Sequence, residues 1–363
     1  MTPAALPSLD LTADAVDLTE DLVNIESVSG NEDVIADAVE SSLRALGHLT
    51  VSRFGNTVVA RTDQGHAERV VIAGHLDTVP LNDNLPARRD PDGDGNLHGL
   101  GSCDMKGGCA IALRIAATMP VTNRDLTFLF YECEEVEEER NGLKLLGASH
   151  PGLLEADFAI LMEPSDAVVE AGCQGTMRVD VTTHGERAHS ARSWRGVNAI
   201  HGGADVLARL NAYEPRRPVI DGLEYREGLN AVFISGGVAG NVLPDRCTVS
   251  VNYRFAPDRS EAEAEAHMRE VFEGYDVEVS DSAPSAMPGL SVPAAAAFID
   301  AVGGVANPKF GWTDVARFSA LGIPAVNFGP GDPHLAHKQE EFVPLEHLRR
   351  VESQLRRWLE PSA

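Results

Sequence analysis

The chain has 363 residues, 43% of them apolar and 23% charged, which predicts two ordinary globular domains and excludes a disordered or disulfide-stapled protein. Thirty basic and 55 acidic residues give a formal net charge of -25, which opposes general attraction to nucleic acid or anionic membranes. No apolar run is long enough to span a membrane, and residues 1–21 lack the basic and apolar regions of a signal peptide. We therefore expect a cytoplasmic protein that acts on a small molecule.

The predicted elements of residues 12–172 alternate between helices and strands, which is typical of an α/β layer with a mainly parallel sheet. An amphipathic helix capped by Asn31 is predicted to stop at Gly47. Strands buried on both faces are predicted from the short apolar runs at residues 69–74, 126–131 and 158–162. Polar residues follow each run, at the edge where open α/β sheets bind ligands.

The pattern changes within residues 176–286, where the predicted elements follow the order β-α-β-β-α-β. The second helix of this segment opens with the capping box Ser260-Glu-Ala-Glu263. This order is typical of the ferredoxin-like split unit, a two-layer α+β domain. After Pro288 the sequence again alternates between predicted helices and strands, as it does in residues 12–172. We therefore predict a discontinuous domain of residues 1–175 and 287–363, with the α+β domain inserted in it.

The first candidate site motif is Gly74-His75-Leu-Asp77, which leaves the first predicted strand. A metal-bound His commonly donates its second ring N–H to a carboxylate, and Asp77 is close enough in sequence to His75 for that. The alternative is a surface turn that ends at Pro80.

A second candidate, Asp104, lies in a glycine-rich segment just before an apolar helix. A carboxylate held by flexible backbone can approach two cations at once and bridge them. The alternative is that Asp104 only caps the helix.

Adjacent carboxylates, Glu134 and Glu135, follow the second apolar strand. They repel each other unless cations or solvent relieve them, so one can bind metal while the other takes a proton. A solvated acidic loop is the alternative. Glu163 adds a carboxylate after the third strand, and His337 is a candidate imidazole with His334 as its rival.

The whole set, in the order His-x-Asp, Asp, Glu-Glu, Glu, His with a split unit before the last His, resembles the dinuclear zinc peptidase and deacylase family. That family includes desuccinylases, deacetylases, aminoacylases and carboxypeptidases, and the resemblance covers nearly the whole chain. It implies two Zn²⁺ per subunit, which Co²⁺ can replace. The metal ligands that it implies, with Asp104 as the bridge, are His75, Asp104, Glu135, Glu163 and His337.

The resemblance also implies roles for residues beside the metals. Asp77 would orient His75, and Glu134 would be the general base. His189 would be supplied by the partner subunit to stabilise the oxyanion, so a homodimer formed through the inserted domain is implied.

Substrate-holding positions of the family correspond to Asn241, Arg254 and Thr313. The surrounding motifs look most like actinobacterial desuccinylases, which implies hydrolysis of N-succinyl-LL-2,6-diaminopimelate to succinate and LL-2,6-diaminopimelate. Cys173 and Gln174 stand where other desuccinylases tend to have basic residues, so the residues that recognise the acyl group stay open. The alternatives are an acetylornithine deacetylase-like deacylase, a dipeptidase, or a non-catalytic metal or amino-acid binding module.

Overall fold

The computed structural model describes residues 7–91 and 95–361. The chain divides into two compact units. The first unit comprises Met1–Ala171, Gly289–Asn307 and Arg317–Ala363, and the second comprises Gly172–Pro288 and Pro308–Ala316. The ends of the predicted discontinuous domain, residues 1–6 and 362–363, lie outside the described residues, as do residues 92–94 within it.

One short segment, residues 308–316, belongs to the second unit, although the sequence predicts it as part of the discontinuous domain. The physical reason is a set of hydrogen bonds within that unit. The indole N–H of Trp312 donates to the carbonyl of Pro284 at 3.0 Å, and the backbone N–H of Gln174 donates to the carbonyl of Lys309 at 3.3 Å. Contacts of this kind between distant segments leave no periodic signal in the sequence.

The described helices and strands are numbered in chain order. The helices are α1 (Ala15–Val23), α2 (Asp33–Arg44), α3 (Gly107–Thr118), α4 (Gly142–Ser149), α5 (Ala199–Ala212), α6 (Glu261–Val271), α7 (Pro293–Ala301), α8 (Val315–Ala320) and α9 (Leu345–Leu359). The strands are β1 (Thr50–Phe54), β2 (Thr57–Arg61), β3 (Arg69–His75), β4 (Arg88–Arg89), β5 (Asn96–His98), β6 (Asp125–Tyr131), β7 (Phe158–Leu161), β8 (Val169–Ala171), β9 (Gly175–His184), β10 (Val219–Ile220), β11 (Leu223–Glu224), β12 (Gly228–Gly236), β13 (Arg246–Phe255), β14 (Asp276–Ala283), β15 (Ala306–Pro308), β16 (Ala325–Asn327) and β17 (Phe342–Pro344).

The large sheet has the strand order β1-β2-β6-β3-β7-β16-β8-β15. Its central strands β6, β3, β7 and β16 are parallel to one another, while the pairs β1–β2, β2–β6 and β16–β8 are antiparallel. Every residue of β6 and β7 is buried, as expected for the uninterrupted apolar runs of strands covered on both faces. The predicted α/β class with a mainly parallel sheet is confirmed.

The predicted amphipathic helix is α2, but its start differs from the prediction. Glu32 occupies the N-cap position in place of Asn31, and its carboxylate accepts the backbone N–H of Gly30 at 2.8 Å. The helix ends at Arg44, ahead of Gly47. Helix ends are the least certain part of a pattern-based prediction, because the terminal turns fray and the boundary shifts by one or two residues.

The second unit contains an antiparallel sheet with the order β12-β13-β9-β14. In chain order its elements run β9, α5, β12, β13, α6 and β14, which is the predicted β-α-β-β-α-β order, with the small β10–β11 hairpin added. Alternate residues of β13 are buried, so one face of the sheet supplies the core. The predicted capping box is present: the N–H of Glu263 donates to Ser260 Oγ, and the N–H of Ser260 donates to the Glu263 carboxylate.

None of the described helices is both long and apolar enough to cross a membrane. All five cysteines are buried and free.

Candidate metal centre

The carboxyl ends of the parallel strands place the predicted site residues at one edge of the large sheet. His75 ends β3 and pairs with Tyr131, the last residue of β6, so Glu134 and Glu135 leave the sheet beside it. On the other side of β3, Ala73 pairs with Leu161 at the end of β7. Glu163 therefore lies two residues beyond Leu161, just as His75 lies two residues beyond Ala73. The Glu163 side chain is buried.

His75 is a buried imidazole with a defined orientation. Its Nδ1–H donates to the backbone carbonyl of Asp77 at 3.0 Å, which leaves Nε2 facing Asp104 Oδ1 at 3.1 Å. The carboxylate of Asp77 is farther from Nδ1, at 3.5 Å. Burial opposes the charged ring, but the hydrogen bonds with Asp104 and Asp77 raise the pKa of His75 well above its usual value.

The carboxylate of Asp77 is directed mainly at the segment that carries the adjacent glutamates. It accepts the backbone N–H of Glu134 at 3.0 Å, that of Glu135 at 3.1 Å, and the hydroxyl of Ser29 at 2.7 Å. Burial disfavours the charge, yet these hydrogen bonds and the neighbouring His75 lower the pKa of Asp77. Asp77 thus holds both the imidazole and the Glu134–Glu135 backbone in place.

Four donor side chains converge at this edge. Ligand atoms of His75, Asp104 and Glu135 lie within 4.8 Å of one another. His337 Nε2 is 2.9 Å from Glu135 Oε1 and 3.5 Å from Asp104 Oδ2, so His337, not its rival His334, makes these contacts. The hydrogen bonds that its ring donates to the carboxylates of Asp104 and Glu135 raise the pKa of His337 to about 10.

Burial has opposite outcomes at the two carboxylates. Asp104 is largely buried, with 12% of its side chain exposed, but its hydrogen bonds from His337 and His75 overcome the cost of burial and hold its pKa well below the usual range. Burial raises the pKa of Glu135, although His337 partly offsets the rise. The capping alternative for Asp104 is wrong, because Lys106 occupies the N-cap position of α3.

The chemistry of this donor set fits divalent cations. Imidazole nitrogens and carboxylate oxygens are the ligands that zinc accepts, and catalytic sites combine them. Here the same groups lie within hydrogen-bond distance of each other, and the carboxylates that raise the pKa of His337 favour positive charge beside them. Metal binding to such groups displaces their protons.

Glu341 is a site residue that the motifs did not single out. Its buried carboxylate accepts three backbone N–H groups, from Gly101 at 3.0 Å, Cys103 at 3.0 Å and Asp104 at 3.1 Å. Burial, with a contribution from the nearby Asp104, raises the pKa of Glu341 to about 7. Glu341 fixes the backbone that carries Asp104, from 237 residues away in the sequence.

Glu32 has a comparable supporting position on the other side of the site. Its carboxylate accepts the backbone N–H of Cys133 at 3.2 Å, so it anchors the residue just before Glu134. A carboxylate oxygen of Glu32 also lies within 4.8 Å of the potential metal-ligand atoms of Glu132 and Cys133.

The remaining predicted residues, His189, Asn241, Arg254 and Thr313, belong to the second unit. His189 is the N-cap of a 3₁₀ turn, and its Nδ1 accepts the backbone N–H of Ala191 at 3.1 Å. In the neutral ring Nε2 therefore carries the hydrogen and is a donor. The carbonyl of Asn241 accepts the N–H of Ser190 at 2.8 Å, which places Asn241 against the same turn.

The other two predicted substrate residues lie elsewhere in this unit. Arg254 is on β13 and half-buried, and burial lowers its pKa. Thr313 is buried, and its backbone carbonyl is 3.8 Å from the thiol of Cys173.

Comparison with known proteins gives consistent results. The model of peptidase family M20/M25/M40 matches residues 71–360. A Mycobacterium tuberculosis protein, provisionally named a succinyl-diaminopimelate desuccinylase, is 52% identical over 354 residues, covering 97% of this chain and 99% of its own. The succinyl-diaminopimelate desuccinylase of Corynebacterium glutamicum is 48% identical, covering 97% and 98%. A Staphylococcus aureus tripeptidase structure aligns with a TM-score of 0.78 at 22% identity, covering 97% and 98%, and shows the same fold.

Proposed function

The chain belongs to peptidase family M20/M25/M40 and is a metal-dependent hydrolase, and we propose that it hydrolyses N-succinyl-LL-2,6-diaminopimelate to succinate and LL-2,6-diaminopimelate. The observation that carries the proposal is the 48% identity to the Corynebacterium glutamicum desuccinylase over 97% of this chain. The reaction is a step toward lysine and the diaminopimelate of cell walls, and we expect it in the cytoplasm.

The proposed cofactors are two Zn²⁺ ions, which Co²⁺ can replace. The residues that would hold them are His75, Asp104, Glu135, Glu163 and His337, and Asp104 would be the ligand that both ions share. The convergence of His75, Asp104, Glu135 and His337 supports this choice. When bound, such a pair of cations polarises the scissile carbonyl and lowers the pKa of the attacking water.

The proposed proton carrier is Glu134. It takes a proton from the water as the water oxygen bonds to the amide carbon, and it delivers that proton to the nitrogen as the C–N bond breaks. The carboxylic acid formed in this way gives its remaining proton to the more basic amine, so the products are a carboxylate and an ammonium group. Asp77 supports this role because it holds the backbone N–H groups of both Glu134 and Glu135.

The developing negative charge on the amide oxygen needs a hydrogen-bond donor, and we assign this role to the partner subunit's His189. Its Nδ1 is occupied by the N–H of Ala191, so Nε2–H is the free donor. Because the donor comes from the second unit of another chain, the proposed active form is a homodimer.

A second observation supports the homodimer. β12 is an edge strand of the second unit's sheet, and it exposes Val232, Phe233 and Ile234, with Phe233 at 69% exposure. Ile200 on α5 of the same unit is also exposed. Exposed apolar side chains beside an unpaired strand edge are typical of a surface that a second chain covers.

The proposed substrate contacts are Asn241, Arg254 and Thr313. Arg254 offers a planar fork of N–H donors, which suits the carboxylates of diaminopimelate. Its half-buried position lowers the competing hydration of the guanidinium and strengthens such a contact.

A substrate panel tests the proposal. The protein, loaded with zinc, is incubated with N-succinyl-LL-2,6-diaminopimelate, N-acetylornithine and simple dipeptides, and the released amine is identified by mass spectrometry. The proposal predicts the highest kcat/KM for the succinyl substrate. Preference for acetylornithine or a dipeptide would support the deacylase or dipeptidase alternative, and binding without any product would support a binding module.

A further inference from the structure

A basic cavity of about 410 Å³ lies in the second unit, and it contrasts with the net charge of -25 of the whole chain. The residues that line it are Arg187, Ala188, His189, Arg192 and Arg195. We refer to it as the arginine cavity. A concentration of positive charge in a strongly acidic protein indicates a local site for an anion.

The lining residues of the arginine cavity come from one short stretch of chain. Arg192 and Arg195 lie in the 3₁₀ segment Ser190–Arg195, which His189 caps. The backbone of Arg192 departs from helical angles (φ -133°, ψ 46°), so the cavity lining, and not a regular helical face, groups these side chains. The N–H of Arg192 donates to the carbonyl of His189 at 2.7 Å, which closes the turn. This hydrogen bond ties the backbone of Arg192 to that of His189, so the arginines follow the imidazole closely along the chain.

Two of the three arginines are free to bind an anion. Arg187 is paired, since its Nε is 2.8 Å from Asp245 Oδ2. Arg192 and Arg195 are exposed and make no ion pair with any described residue. Like charges that share a cavity repel each other, and a bound anion relieves that repulsion.

We propose that the arginine cavity is the subsite for the distal carboxylate of the succinyl group, with Arg192 and Arg195 as its specificity-determining residues. This inference rests on the proposed function. In the succinyl group only two methylene groups separate the amide carbonyl from the distal carboxylate. A turn that brings His189 Nε2–H to the amide oxygen thus brings the arginines within reach of the carboxylate.

The subsite gives the enzyme a way to distinguish acyl groups. A butanoyl group has the length of a succinyl group but ends in a methyl group instead of a carboxylate, so it cannot pair with a guanidinium. Loss of a charge-assisted hydrogen bond typically reduces transition-state binding by a factor on the order of 10 to 100. The arginines should therefore affect the succinyl substrate alone.

The test compares Arg192→Gln and Arg195→Gln with a control variant, Arg217→Gln. Arg217 is an exposed arginine of the same unit that lies outside the cavity lining. For each dimeric, zinc-loaded variant, kcat/KM is measured with N-succinyl- and N-butanoyl-LL-2,6-diaminopimelate. Thermal unfolding and zinc content serve as checks that the fold and the metal site are intact.

We expect Arg192→Gln to lower kcat/KM for the succinyl substrate by about 10- to 100-fold and to change the butanoyl value by less than about threefold. Arg195→Gln should act in the same direction, Arg192→Lys should restore part of the loss, and Arg217→Gln should resemble the wild type. Equal losses for both substrates, or no loss for either arginine variant, would overturn the subsite. If the wild-type protein fails to hydrolyse the succinyl substrate, the proposed function itself is wrong, and the subsite with it.

Discussion

At the scale of single residues, the proposed chemistry depends on two adjacent carboxylates with different tasks. Glu135 Oε1 is 2.9 Å from His337 Nε2 and close to Asp104, which fits its proposed role as a metal ligand. Glu134 is the preceding residue, and its backbone N–H donates to the Asp77 carboxylate. Asp77 anchors the backbone of both residues, but their side chains have different proposed roles. Replacing Glu134 or Glu135 with a neutral residue should therefore have different effects.

Glu134→Gln should keep both metal ions and lower kcat by on the order of 10² to 10⁴ or more, because the amide cannot take the proton of the water. Glu135→Gln should instead weaken metal binding at one site. Metal content by mass spectrometry and kcat, measured on both purified variants, separate the two effects. If Glu134→Gln lost a metal ion while Glu135→Gln retained both, the roles within the pair would be reversed.

At the scale of structural elements, the segment that carries Asp104 is held by a residue from near the other end of the chain. Glu341, just before β17, accepts the N–H groups of Gly101, Cys103 and Asp104. Supporting residues of this kind orient metal ligands, and their loss typically weakens metal binding by about 10- to 100-fold.

Glu341→Gln replaces the charged acceptor with an amide that can satisfy fewer of the three N–H groups. We expect a fall in metal affinity within that range and a changed visible absorption spectrum of the cobalt-loaded protein. Glu340→Gln is the matched control, because its exposed neighbouring side chain should leave both readouts unchanged. Unaltered affinity and spectrum in Glu341→Gln would show that the Asp104 segment holds its geometry without Glu341.

The sequence predicts those elements whose buried residues form a recognisable pattern within a single short segment of the chain. β3, β6 and β7 are uninterrupted apolar runs because both faces of the sheet are covered, and β13 alternates because one face is. By contrast, the position of residues 308–316 and the support by Glu341 depend on hydrogen bonds between segments far apart in the chain. Such pairs produce no periodicity, so only the folded structure locates them.

The site residues follow the same distinction. His75, Glu135 and Glu163 were predictable because they follow strands that end at one edge of a parallel sheet. Sequence alone left His337 and His334 as alternatives, since a loop residue has no register, and the contact with Glu135 supports the proposal of His337.

At the scale of the whole molecule, the proposed residues are divided between the two units. The proposed metal ligands belong to the first unit, whereas His189, Asn241, Arg254 and Thr313 belong to the second. If the donor to the oxyanion comes from the partner subunit, catalysis depends on dimer formation, and the exposed edge at β12 is the surface we expect to mediate it.

Mixing two inactive variants tests this dependence. His189→Ala and Glu134→Gln homodimers should each have a low kcat, with zinc content unchanged. In a mixed dimer one site combines an intact Glu134 with the partner subunit's intact His189. Random exchange makes half of the dimers mixed, with one of two sites intact, so about a quarter of wild-type activity should return. If mass spectrometry confirms exchange but no activity returns, His189 does not act between subunits.

The most direct test of the central claim is a metal titration of the metal-free protein with succinate release from N-succinyl-LL-2,6-diaminopimelate as the readout. The five proposed ligands, one of which is a bridging carboxylate, describe two cations. We therefore predict no measurable release without metal, activity after the first equivalent of Zn²⁺, and a further increase up to roughly two equivalents. Full activity of protein shown by mass spectrometry to contain no metal would show that the reaction does not depend on a metal ion.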